Sequence, residues 1–233
     1  MNLYRTSGFS MLPEVVKNLL IINVLAYLAR MVFLVNFEID LNDYFGLHYW
    51  EAEKFRPYQF VTYMFMHGGL WHVVFNMYML YWFGRIFNDF MGEKRLAGLY
   101  FLGGIAGGAA YLLVYNLLFL AGETDVNVIL VGSSAAVMAI TIAAGLRFPD
   151  YTINLMFFGT VRLKYVALVI FILSTVLDFS SNMGGKIAHI GGAAMGYFGK
   201  CTSGTCPLTA TPWRGALYGA VMGAVFSLAL SKQ

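Results

Sequence analysis

Charge is what this chain has least of. Of its 233 residues only 12% are Asp, Glu, Lys or Arg, about half the share found in ordinary globular proteins. Too few charges are present to cover a soluble surface. Hydrophobic residues make up 59% and mean hydropathy is +0.67, so the chain reads as an integral membrane protein. Its net charge of +3 carries no footprint for nucleic acid, and no such partner is expected. Cysteine is scarce as well. Cys201 and Cys206 are the two present, which excludes a disulfide framework and falls short of the four ligands of a structural zinc site. No H-E-x-x-H pattern occurs, so neither a metal nor another cofactor is expected. Internal repeats, with the broken helices in matched halves that a transporter would use, are missing too. So are a small-residue cleavage site after the first apolar run and an organelle-targeting leader.

What the chain does have is recurrent apolar runs, near Val16–Val35, Phe60–Phe87, Leu96–Leu120, Ser134–Leu146, Tyr165–Leu177 and Ile187–Gly199. The expected fold is all-α, a polytopic bundle with six core spans. Residues 1–15 form a cytoplasmic N-terminus, 16–200 the membrane domain, and 201–233 a tail whose short apolar stretch at 215–230 is a candidate seventh segment. Arg5, Lys17, Arg85, Lys94, Arg95, Arg147, Arg162, Lys164 and Lys200 fall on one side of this alternation. Glu38, Asp40, Asp43, Glu51, Glu53, Glu123, Asp125 and Asp178 fall on the other. The positive-inside rule makes the basic side cytoplasmic, with both termini on it. Residues 36–58, polar but rich in Phe, Tyr and Trp, are expected to lie in the outer interface.

Polar residues inside these spans need partners or a wet cavity, because bare lipid penalises them. Ser134 lies about 13 residues before Arg147, His189 about 11 before Lys200 and Asn76 about 13 before Asp89, which puts all three roughly 16–20 Å above the cytoplasmic face. A shared depth implies one cavity opening outward. Since the fourth span starts at Ser134, the loop from Gly122 to Ser133 must dip inward to meet it. Ser133 or Ser134 could simply cap that helix, His189 could be a hydrogen-bonded core residue, and Gly192 with Gly196 could be a packing face alone. If the fourth and sixth helices approach closely, however, Ser134 and His189 come within hydrogen-bond reach, the arrangement of an activated nucleophile. His72 and Asn76, four residues apart, share one helical face and could together hold an oxyanion. His67 is off that face and is expected to support the loop or cap the helix. His48, in the outer loop, reads as a surface residue.

The run Phe55-Arg56-Pro57-Tyr58-Gln59-Phe60-Val61-Thr62-Tyr63-Met64-Phe65-Met66-His67-Gly68 comes first. Then follow His72-x-x-x-Asn76, Phe83-Gly84-Arg85, Gly132-x-Ser134 and His189-x-x-Gly192-x-x-x-Gly196. In this order they resemble the rhomboid family of intramembrane serine proteases over about Phe55 to Gly199. The resemblance implies a Ser134 nucleophile with His189 as general base and acid and no third acid. It implies an oxyanion site from His72, Asn76 and the Ser134 N–H, structural support from Gly132, Gly192 and Gly196, and a structural role for Arg56 in tying the outer loop. It implies transmembrane protein substrates cut within the lipid bilayer, with the fifth helix as gate.

Three positions depart from the family pattern: Ala135 and Ala139 where Gly is usual, and Met138 where some members stack an aromatic ring on the histidine. Ala135 is compatible with the site if its backbone needs no positive φ. Every residue the chemistry needs is present, which favours an active protease over an inert, client-binding relative. A bacterial-type plasma membrane is the default address.

Overall fold

The computed structural model describes residues 12–120, 122, 128–155, 159–175 and 183–198. Cys201, Cys206, the segment at 215–230 and most of residues 1–15 lie outside the described residues.

Six helices of 13 residues or more carry the fold. Helix α1 (Glu14–Phe37) begins directly after Pro13, whose fixed φ suits a helix entrance, and ends at Glu38 in the left-handed region (φ 58°). A short helix α2 (Asn42–Phe45) and strand β1 (Leu47–His48) follow, then α3 (Gln59–Thr62) with a 3-10 turn at Tyr63–Phe65. Helix α4 (Leu70–Met91) leads through Gly92, at φ 81°, into α5 (Glu93–Leu120). Strand β2 (Ile129–Leu130) precedes α6 (Ser134–Arg147). The hairpin β3 (Thr152–Leu155) and β4 (Gly159–Arg162) leads to α7 (Leu163–Thr175), and α8 (Met183–Phe198) closes the described chain.

The expected spans match these helices with one marked change. The second does not run from Phe60: the chain breaks at Gly68-Gly69, Gly69 is fully extended (φ −168°), and α4 starts ten residues later than expected. The all-α expectation also needs correcting, because two short antiparallel ribbons are present. In one, Leu47 faces Leu130 and His48 faces Ile129, so the outer loop is stitched to the segment just before α6. The other is the β3–β4 hairpin. Among the described residues, α1 and Glu93–Leu118 of α5 are the helices long and apolar enough by themselves to cross a bilayer.

Polarity in α1 is inside out relative to a soluble helix. Its buried stripe is Val16, Leu19, Asn23, Tyr27 and Arg30, whereas Ile21, Leu25, Leu28 and Val32 are exposed. Polar groups inward and apolar groups outward is the arrangement lipid requires. Arg30 is fully engaged: its Nε and Nη2 each donate at 2.7 Å to the two carboxylate oxygens of Asp40, and its Nη1 donates at 3.5 Å to the Gly68 carbonyl. One side chain thus joins the first helix, the outer loop and the turn that opens α4.

Helix α6 is the axis of the bundle. Ten of its 14 residues are buried, six of them Ala or Gly, and α4, α5, α7 and α8 all pack on it. Small side chains permit that density of neighbours. A methyl placed at Gly192 or Gly196 of α8 would collide with the backbone carbonyls of Ala135 and Ala139. On the opposite flank, Gly103 and Gly107 of α5 lie against the methyls of Ala139 and Ala135.

Candidate active site

The site begins at Gly132. Its φ of 124° is in a region that side chains rarely adopt, and its N–H donates to the Tyr63 carbonyl at 2.9 Å. A Cβ at this position would lie 2.7 Å from the His72 ring and 3.6 Å from Ser134 Oγ. The bare backbone of Gly132 is therefore what lets the imidazole of α4 and the hydroxyl at the start of α6 flank one point. His189, half-buried on α8, is close enough to His72 for the two rings to interact electrostatically. The Nδ1 of His189 bonds to the Ser174 carbonyl of α7 at 3.0 Å. Asn76 is buried in the same region, and its amide donates at 2.9 Å to the His72 carbonyl, which leaves its second N–H for another acceptor.

Behind this point runs a buried polar chain. Asn23 Nδ2 donates to Tyr100 Oη at 3.2 Å. The Ser133 hydroxyl meets His67 Nε2 at 3.3 Å, and His67 Nδ1 meets the Phe65 carbonyl at 3.3 Å. A carbonyl only accepts, so Nδ1 carries the proton, Nε2 is the acceptor, and Ser133 is the donor to it. The His67 ring stands edge-on to His72 with centroids 5.0 Å apart. Ser133 does not cap α6, although it occupies the cap position: its hydroxyl makes no cap bond and is spent on His67 instead. Nor does His67 cap α4, which begins at Gly69 without a side-chain cap.

The structure thus brings Gly132, Ser134 and His72 together at the start of α6, with Asn76 one turn beyond His72 on α4, His189 bonded to α7, and Gly192 and Gly196 holding α8 against α6. Arg56 lies elsewhere. It is exposed, and its Nη1 donates only within its own turn, to the Glu53 and Phe55 carbonyls. Gln59 makes the ties that the sequence reading assigned to Arg56. Fully buried, it accepts from the His48 and Arg56 N–H groups and donates to the Tyr44 and Lys54 carbonyls. His48 is likewise not a surface residue: it is buried in β1, and its Nε2 donates to the Asp43 carbonyl at 2.9 Å. Sequence reasoning missed Gln59, Ser133, Tyr100, Asn23 and Arg30. The last two had a signal, since a polar and a charged residue seven apart in an apolar run must share an inward face.

Ala135 has no positive φ, so the condition set by the sequence for a methyl at this position is met. Met138 is buried in α6.

Inward-facing polar groups, outward-facing apolar ones, and a serine collected with histidines among packed helices define a helical membrane protein with an enclosed polar site. A rhomboid-domain family model matches residues 54–204, and the chain belongs to the rhomboid family. A second model, of a family of unknown function (DUF6132), matches residues 182–232. The RHOMBOID-like protein 12, mitochondrial, of Arabidopsis thaliana is 27% identical over 199 residues, covering 78% of this chain and 56% of that protein. The chain therefore spans little more than half the length of this relative.

Proposed function

We propose that the chain is an intramembrane serine protease in which Ser134 is the nucleophile and His189 the general base. The observation that carries this reading is the junction at Gly132, where the Ser134 hydroxyl and the His72 imidazole flank one small space beside His189. Ser134 Oγ attacks a peptide carbonyl while neutral His189 takes its proton, and His189 then returns that proton to the leaving amine. The oxyanion lies between the His72 ring, the free N–H of Asn76 and the Ser134 backbone N–H. One such donor typically contributes about 3 kcal/mol to lowering the barrier.

Substrates on this reading are transmembrane proteins, cut near the outer end of a helix. Such a helix must unwind before its carbonyl reaches Ser134, so Gly, Pro or other helix-weakening residues are expected near the cut. The six core helices are read as six spans with the basic face cytoplasmic, in a plasma membrane of bacterial type. The relative's name gives mitochondria as the competing address. The test is covalent: an organophosphonate fluoride should phosphonylate Ser134 with loss of fluoride, and the adduct should map to the peptide containing Gly132–Ala135. His189→Ala should abolish labelling. A folded wild-type protein that takes no label at Ser134 would favour an inert, client-binding rhomboid instead.

A further inference from the structure

We propose that the backbone carbonyl of Ser174, on α7, is the positioning group that sets the tautomer of His189; this rests on the protease reading above. The distance from Nδ1 to that oxygen is 3.0 Å. A carbonyl oxygen has no hydrogen to give, so the bond exists only with the proton on Nδ1. In a neutral imidazole Nε2 then keeps its lone pair, and a lone pair is what the proton of a serine hydroxyl requires.

The acceptor belongs to a different helix from His189, so α7 holds the ring of a residue that α8 carries. In water-soluble serine proteases a buried carboxylate holds the corresponding N–H and stabilises the imidazolium that forms. A backbone carbonyl holds that N–H without burying a full negative charge in a bilayer, where that charge would be costly. The bond also joins two elements. Helix α7 is buried along one side, at Leu163, Ala167 and Thr175, with Tyr165, Leu168, Val169 and Leu173 exposed. The alignment of His189 therefore depends on α7 staying packed beside α8. From the α4 side, His72 is the titratable group that faces His189.

The neighbouring residue gives the handle. A proline at position 175 drives the residue before it out of the α region, which turns the Ser174 carbonyl away from its present direction. Thr175 is buried with its Oγ1 unpartnered, so Thr175→Val alters no hydrogen bond and serves as the control. The full-length protein, labelled with 15N-histidine in lipid bilayers, is examined by NMR at a pH where imidazole is neutral, and His189 is assigned by its loss in His189→Gln. The wild type and Thr175→Val should show a protonated Nδ1 and a bare Nε2. Thr175→Pro should lose that preference and lower kcat at least about tenfold, with KM held within about threefold. A wild-type His189 carrying its proton on Nε2 overturns the proposal whatever the activity, and so does Thr175→Pro with the wild-type kcat. If Thr175→Pro does not fold, the wild-type tautomer alone decides. A protonated Nδ1 in a protein that cleaves nothing would sustain the anchor and sink the protease reading. Normal cleavage with the opposite tautomer would do the reverse.

Discussion

At the scale of single residues, the site depends on an atom that is absent. Gly132 combines a positive φ with a ring packed where its side chain would be. Gly132→Ala should therefore lower stability by about 1–3 kcal/mol. By displacing His72 it should also reduce cleavage roughly a hundredfold, measured as kcat against thermal unfolding of the same preparation. Ser133 makes a separate case. Truncated to Ala, it leaves His67 Nε2 buried without its partner, which should cost about 1–3 kcal/mol in the unfolding free energy. A variant as stable as wild type would show that the buried chain contributes nothing. Ser134, His72 and His189 drew attention in the sequence because polar residues in apolar runs are expensive enough to demand a reason. The use of Ser133 was not legible. A serine before a helix is read as a cap, and only the fold reveals that His67 reaches it first.

At the scale of elements, three helices meet on a surface made of what small residues leave out. The sequence showed the face at Gly192 and Gly196, and it flagged Ala135 and Ala139 as extra methyls. It did not show that Gly103 and Gly107 of α5 accommodate those methyls, because the matching is across helices and has no local period. The reciprocity is measurable. Gly107→Ala places a methyl on that of Ala135 and 2.9 Å from the Ala188 carbonyl, and should destabilise by about 1–3 kcal/mol. Ala135→Gly should cost no more than about 1 kcal/mol. Combined, they should cost less than their sum by at least about 0.5 kcal/mol, and strict additivity would refute the pairing. The ribbon between Leu47–His48 and Ile129–Leu130 escaped the sequence for a different reason. Strands two residues long display no alternation to detect, and their pairing joins segments some eighty positions apart.

At the scale of the whole molecule, one ion pair holds together what the helices alone do not. Arg30 and Asp40 close the outer end of α1 onto the loop and onto Gly68, just ahead of the helix that carries His72. The Arg30 guanidinium bonded to it holds the Asp40 carboxyl below the usual carboxylate value. A carboxyl depressed in the folded state stabilises the fold above its unfolded value, near pH 3.9, and loses that contribution as pH falls through its lower folded value. Wild type should therefore melt at a higher temperature than Asp40→Asn near neutral pH, and the gap should close below about pH 4. A gap that does not change with pH would mean that the pair does not titrate with folding. The arrangement of helices was readable from hydropathy and basic residues, but Arg30 was passed over because a single charge in a long apolar run hardly alters its average.

The central proposal is that Ser134 is a nucleophile activated by His189 within the membrane. The most direct measurement is cleavage of a labelled single-span substrate by purified protein in lipid, with wild type, Ser134→Ala and His189→Ala compared at equal folded concentration. Cleavage by wild type, lost in both variants while their folding is retained, is the predicted result. Cleavage that persists in Ser134→Ala would contradict it.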